Sequence, residues 1–278
     1  MKKKIIILGY KGFIGGKLFE EFKKKNFEVI GLKIPRPDAV NPKEFYIKYI
    51  NKILIENDDI NYIINCAGSI SCETDSDFFF NSEFDIIFQK MVIKKKIELK
   101  YLTLNSTKVF TNCSDRYTLS KKKLDKKYLS KNNFYSLYLD LIFQKNSIHF
   151  KKINNLLKKW SFFKIPIFYP GKVFYPIDLS NLCKEIFNIT TIKQNKNKII
   201  IIGNIKFTFY EIVNYVKKKS TLQNKFILFK SRYFNSTPNF IKRIFYQSRF
   251  LQMIDDENWI NYIDKKKFLL KKIKTNLR

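Results

Sequence analysis

Ile5-Ile6-Ile7-Leu8-Gly9-Tyr10-Lys11-Gly12-Phe13-Ile14-Gly15 is the stretch that decides the fold. Its four bulky, mostly β-branched residues form the short run typical of a strand buried on both faces of a parallel sheet. Over residues 12–25, Phe13, Ile14, Leu18, Phe19 and Phe22 then recur at helical spacing. A Gly-x-x-Gly-x-x-Gly turn at such a junction lets the backbone approach a pyrophosphate, and the helix N-terminus adds N–H groups and the positive end of the dipole. Gly9, Gly12, Phe13, Ile14 and Gly15 therefore read as a dinucleotide cradle, with an ordinary tight turn as the bland alternative.

Outward from this turn the pattern alternates. A strand is expected over 28–32, a helix over 43–57, a strand over 62–65, a helix over 81–97 and a strand over 101–104. A helix beginning near Tyr117 and a strand over 136–143 follow. Strands alternating with helices imply right-handed crossovers and a parallel sheet. The fold class is α/β: a Rossmann-type doubly wound parallel sheet over 1–145, with a smaller C-terminal α/β substrate lobe over 146–278. That lobe is expected to hold helices near 151–160, 178–188 and 208–219, a strand over 199–202, and a last helix closed by the Lys-rich tail from Lys265.

A chain of 278 residues is long enough for one full α/β unit and a lesser lobe. The formal charge of +30 would by itself suggest a nucleic-acid or membrane partner. Only six of the 54 basic residues are Arg, however, and the Lys excess accompanies excess Asn, Ile, Phe and Tyr, all with AT-rich codons. Base composition accounts for the charge, so neither nucleic acid nor membrane is expected as a partner. The four cysteines show no Cys-x-x-Cys spacing and His149 is the single histidine, so no metal site is expected and the compartment reads as reducing. No apolar run approaches the roughly 18–20 residues of a membrane span, and the expected location is the cytoplasm.

At the end of the second strand an acidic side chain bonds a ribose 2′-OH, whereas a basic one suits a 2′-phosphate. Lys33 takes the usual acidic slot and Arg36 follows, which favours NADP over NAD. Tyr117 and Lys121 have the Tyr-x-x-x-Lys spacing that puts both side chains on one helix face. A free tyrosine titrates near 10, and a neighbouring cation such as Lys121 favours its phenolate. Ser106, at the end of a strand, can bond a substrate oxygen.

Taken in order, Gly9-Gly12-Gly15, Asn65-Cys66-Ala67-Gly68, Ser106-Thr107-Lys108-Val109-Phe110 and Tyr117 to Lys121 resemble the short-chain dehydrogenase/reductase superfamily. The extended branch, the NAD-dependent epimerase/dehydratase family of nucleotide-sugar enzymes, is the nearest match. The resemblance implies that the glycines hold the pyrophosphate and that Asn65, Ala67 and Gly68 line the adenosine side. It implies Ser106 as the orienting hydroxyl, Tyr117 as general acid/base, and Lys121 on the nicotinamide ribose, lowering the tyrosine pKa. Dehydratases usually carry Thr-Asp-Glu where this chain has Ser106-Thr107-Lys108, so reduction is expected instead of water elimination. Eleven positions separate Ser106 from Tyr117, fewer than is usual in that branch, which implies a short active-site loop.

The expected activity is NAD(P)-dependent reduction of a keto group on a nucleotide-linked sugar. An NAD-dependent epimerase and a catalytically silent NADP(H)-binding subunit of an assembly are the alternatives. The resemblance also implies a homodimer. Arg232, Arg243 and Arg249 are candidates for gripping a substrate diphosphate.

Overall fold

β1 (Lys4–Leu8) carries Ile5, Ile6, Ile7 and Leu8 with no exposed surface, as a strand covered on both faces requires. The computed structural model describes residues 2–36, 42–70, 72–111, 113–129, 131, 133–161, 164–169, 172–230, 260, 263–264 and 267–275. From β1 the chain alternates through α1 (Phe13–Lys24), β2 (Glu28–Leu32), α2 (Pro42–Glu56), β3 (Tyr62–Asn65) and α3 (Asp75–Lys94). It continues through β4 (Lys100–Ser106), α4 (Arg116–Lys127) and β5 (Phe134–Leu139). Beyond these lie α5 (Ile148–Lys159), β6 (Ile165–Tyr169), β7 (Val173–Phe174), α6 (Leu179–Thr191) and β8 (Lys198–Gly203). Then come β9 (Phe207–Thr208), α7 (Phe209–Lys219), β10 (Phe226–Lys230) and β11 (Leu269–Ile273).

Seven of these strands make one sheet in the order β11-β8-β5-β4-β3-β1-β2, and every pairing from β2 to β8 is parallel. The chain starts at β1, steps outward to β2, and crosses back to β3 on the other side of β1. This is the doubly wound, Rossmann-like arrangement. The reversal puts the topological switch point at the C-terminal ends of β1 and β3, where open α/β sheets bind ligands. Helices α2 and α3 cover one face through Tyr46, Ile50, Phe80, Phe84 and Phe88, which pack on Ile6, Leu8 and Ile63. Fully burying a side chain of this size contributes about 1.5–3 kcal/mol.

Two compact units emerge. The first comprises Met1–Leu139, Leu179–Ile201 and Asp264–Lys271, so residues 146–278 do not form one continuous lobe. The returns have clear causes. In α6, Phe187 packs on Phe22 and Phe27 at 5.3 and 5.9 Å, and β8 pairs with β5. Lys100 Nζ donates to the carbonyls of Ile189, Thr190 and Ile192 at 3.1, 2.8 and 3.0 Å, closing the helix C-terminus with a cation. The tail forms the edge strand β11 in place of the expected helix. Phe268 lies against Phe110 and Tyr138, and Lys271 pairs with Glu185 at 2.6 Å.

Two other boundaries differ from expectation for local reasons. The strand expected over 136–143 stops at Leu139 because the Asp140 carboxylate accepts from the Leu141 and Tyr175 backbone N–H groups, at 2.8 and 2.9 Å. α3 begins at Asp75, six residues before the expected start, because Thr74 and Asp77 form a reciprocal capping box. In the second unit, α5 and α7 pack through Phe150, Ile153, Leu157, Ile212, Val213 and Val216, with Ile165 and Ile167 of β6 beneath them. β6 pairs in parallel with β10, and β7 antiparallel with β9. No helix among the described residues is long and apolar enough to cross a membrane.

Candidate dinucleotide and catalytic site

The turn after β1 is held by backbone bonds from Gly9 N to Leu32 O at 2.8 Å and from Gly12 N to Gly9 O at 2.9 Å. Gly9 has φ +77°, and a Cβ there would meet Ala67 backbone atoms at 2.8 Å. A Cβ on Gly15 would lie 2.3 Å from Gly9 O. The glycines thus bring the turn, the start of α1 and the end of β3 together. Gly12 caps α1 without a side chain, and no acidic residue occupies its first turn. The N–H groups at Phe13, Ile14 and Gly15 therefore open a helix whose first turn carries no acidic side chain.

At the end of β3 Asn65 is held on both sides of its amide. Its Nδ2 donates to Asp85 Oδ1 at 2.8 Å and its Oδ1 accepts from Ala67 N at 2.9 Å. The amide thus folds the strand end, and the Ala67 backbone faces Gly9. Next to it, Asn81 clamps the loop, accepting from Ser69 N at 2.8 Å and donating to Ser69 O at 2.7 Å. Asp77, Asn81, Asp85 and Gln89 fall four residues apart on α3 and are all buried. This inward-facing polar ladder escaped the sequence reading, although its period of four was visible in the sequence. Cys66, also at this strand end, has its thiol pushed up in pKa by burial.

Ser106 ends β4, and its Oγ accepts from Lys108 N at 3.3 Å to start a 3-10 turn over Thr107–Phe110. Tyr117 and Lys121 follow on α4 with Lys121 Nζ 6.0 Å from the Tyr117 ring centre, and the Ser106 side chain is near enough to the Tyr117 hydroxyl to act on its titration. The three residues predicted as a set therefore meet. Their electrostatics differ from the expectation of an acidified tyrosine. Burial pushes Tyr117 up to about 12, and the neighbouring Ser106 only partly opposes it. Lys121 is held below the usual lysine value by burial, with Asp85 and Cys72 pulling it back up, and it donates to Leu104 O at 3.1 Å.

Asp115 sets the start of α4. Its carboxylate accepts from Thr118 N at 3.0 Å, Thr118 Oγ1 at 2.5 Å and Cys113 Sγ at 2.9 Å, with Lys108 Nζ at 3.5 Å. Burial raises its pKa, but the bonds from Cys113 and Thr118 and the Lys108 charge outweigh burial and bring it down to about 2. Its stabilising contribution is thus present above the unfolded carboxylate value and is lost as pH falls through about 2. Asp115→Ala is expected to cost about 2 kcal/mol at neutral pH. Urea unfolding of both proteins, stepped downward in pH, should show the difference shrinking.

Of the two residues predicted to choose the dinucleotide, Lys33 is exposed just past β2, and its carbonyl accepts from Tyr49 Oη at 3.2 Å. Arg36 is engaged: Nη1 donates to Asp77 Oδ1 at 2.6 Å and the guanidinium lies 5.2 Å from the Phe80 ring centre. Arg232, Arg243 and Arg249 lie outside the described residues.

No protein-family model matches the chain, and no curated protein matches it at a significant level. Solved structures do match. A dTDP-4-dehydrorhamnose reductase from Clostridium acetobutylicum aligns with a TM-score of 0.66 and 16% identity, covering 83% of this chain and 85% of that one. GDP-mannoheptose C4 reductase from Campylobacter jejuni, with NADP bound, gives 0.58 and 16% over 83% and 88%. UDP-glucose 4-epimerase from Thermus thermophilus, in complex with NAD, gives 0.60 and 12% over 81% and 85%. Over about four-fifths of its length, then, the chain has the fold of these nucleotide-sugar reductases and epimerases.

Proposed function

We propose that the chain is an NADP(H)-dependent oxidoreductase of the extended short-chain dehydrogenase/reductase type, reducing a keto group on a nucleotide-linked sugar. The observation that carries this reading is the meeting of Ser106, Tyr117 and Lys121 on the unit that also holds the Gly9–Gly15 turn. The turn fits a dinucleotide, since Gly9 and Gly15 pack it too closely onto the start of α1 and onto Ala67 to admit a Cβ, and α1 begins without an acidic residue. Gly9, Gly12, Phe13, Ile14 and Gly15 would hold the pyrophosphate, Ala67 and Gly68 the adenosine side, Lys33 and Arg36 the 2′-phosphate, and Tyr117 and Lys121 the nicotinamide ribose. The first unit, which includes the returning segments Leu179–Ile201 and Asp264–Lys271, takes the cofactor role, and the second recognises the sugar nucleotide.

The bound dinucleotide supplies hydride. The chain's own residues supply the rest. Ser106 Oγ holds the ketone oxygen by a hydrogen bond, and Tyr117 Oη, still protonated at neutral pH because burial keeps its pKa near 12, gives that oxygen its proton. The Lys121 ammonium then favours the phenolate left behind. One observation favours a second reading, an NAD-dependent epimerase: Asp77 occupies Arg36, leaving Lys33 as the less encumbered cation for a 2′-phosphate.

Titration with NADPH and NADH, followed by nicotinamide fluorescence, separates the readings. Tighter binding of NADPH is expected, weakened about tenfold by Lys33→Asp, together with NADPH consumption on a panel of keto-sugar nucleotides. Tighter NADH binding without net cofactor consumption would favour the epimerase. Binding of neither would overturn the enzyme reading.

A further inference from the structure

The buried carboxylate of Asp85 has no part in the mechanism above, yet it sits where the two halves of the site join. It is 4% exposed. Its Oδ1 accepts from Asn65 Nδ2 at 2.8 Å and from the Tyr101 hydroxyl, and its Oδ2 accepts from Thr103 Oγ1 at 2.8 Å. Asn65, Tyr101 and Thr103 are each no more than 2% exposed. Every hydrogen bond the group makes to these neighbours is one it accepts, which suits a carboxylate. One route from Asp85 runs through the Asn65 amide to Ala67 N, and so to the backbone against Gly9. The other runs through Thr103 on β4 to its neighbour Leu104, whose carbonyl accepts from Lys121 Nζ at 3.1 Å, and Asp85 is a favourable charge on that ammonium.

A carboxylate with three donors in a dry interior demands its geometry, because a misplaced partner leaves a buried polar group unmade. α3 could have presented an apolar residue here, as it does at Phe80, Phe84 and Phe88. We propose that Asp85 is a positioning residue that locks the end of β3 against the glycine turn while serving as the buried counter-charge of Lys121. The inference rests on the proposed dinucleotide site. The titratable groups that face Asp85 are Cys66 beyond β3, Tyr101 on β4, Lys121 on α4 and Tyr128 beyond α4. Those near Lys121 are Asp85 on α3, Cys72 on the loop before α3, and Tyr117 one turn earlier.

The test compares wild type with Asp85→Asn by NADPH titration across pH and by amide hydrogen exchange. Without the counter-charge the Lys121 ammonium is less favoured. NADPH affinity should then fall about tenfold near neutrality, and its alkaline decline should move down by about one pH unit. Exchange should quicken over 65–68 and 117–121 while the second unit keeps its protection, a pattern that general destabilisation would not produce. Unchanged affinity, pH limb and exchange, in a chain whose wild type binds NADPH, would overturn the inference and leave the proposed function standing. If wild type binds no dinucleotide, the function falls, and local exchange alone decides for or against Asp85. Should Asp85→Asn not fold, Lys121→Met combined with it is the deciding variant. Recovery of a cooperative melt supports a charge pair, and no recovery overturns it.

Discussion

Replacing Tyr117 by phenylalanine is expected to lower turnover of a keto-sugar nucleotide by roughly 10²–10⁴-fold, with NADPH affinity changing no more than about threefold. The substitution removes the hydroxyl that Ser106 meets and keeps the ring packed beside Lys121 and Lys108. Lost turnover with preserved binding marks a group used in the transition state. The pH dependence has a definite sign. Burial holds Tyr117 near 12, so the proton donor is present throughout neutral pH and reduction should be level there. The reverse oxidation needs the phenolate, and its rate should climb with pH toward that value. Steady-state rates in both directions, across pH, check this. An unchanged Tyr117→Phe rate would mean that the proton comes from elsewhere, whereas NADPH binding without any wild-type turnover would favour the silent-subunit alternative.

What the sequence disclosed depended on how directly each residue's pattern reports its surroundings. β1 and β3 were readable to within one residue because a strand buried on both faces is a largely continuous apolar run, as Ile5–Leu8 and 62–64 are. The strands β6, β7, β9, β10 and β11 were not, since they are two-stranded or edge elements whose formation depends on distant partners. The tail shows this well: Leu269–Ile273 becomes a strand through Phe268 and Lys271, whose partners lie about 80 to 160 positions earlier in the chain. In α3 the difficulty was inverted polarity. Asp77, Asn81, Asp85 and Gln89 are polar and carry no local mark of burial, yet the helix buries them.

The site divides in the same way. That Ser106, Tyr117 and Lys121 lie near one another was readable because a strand end and a four-residue helical spacing determine where those side chains emerge. The fates of Asn65 and Arg36 were hidden. Each is diverted by an acid on α3, Asp85 in one case and Asp77 in the other, and no local pattern connects residues 20 and 41 positions apart. The Tyr117 titration shows the same limit, since spacing to Lys121 reports a nearby cation but says nothing of the desolvation that outweighs it.

Gly15→Ala should abolish measurable dinucleotide binding, a loss of about a hundredfold or more, and should also lower the melting temperature. Alanine is the better helix former by about 1 kcal/mol, so propensity alone predicts stabilisation. Sterics decide otherwise. The new Cβ would fall 2.3 Å from Gly9 O and 2.9 Å from Gly9 C, both backbone atoms of the turn, and these cannot yield without moving the loop that Leu32 and Ala67 hold in place. Overlap of this kind typically costs 1–3 kcal/mol or more. Moving the turn also takes the Gly9–Gly12 backbone away from the start of α1, where the pyrophosphate would sit. The neighbouring glycine supplies the control. A Cβ on Gly16 would lie 3.1 Å from Tyr10 O, a contact relieved by a shift of a few tenths of an ångström, so Gly16→Ala should melt near the wild-type temperature and still bind NADPH. Melting curves and NADPH titrations of the two variants, run side by side, separate a general intolerance of side chains in α1 from a specific demand at Gly15. Equal loss in both would show that the turn has no special claim on the dinucleotide.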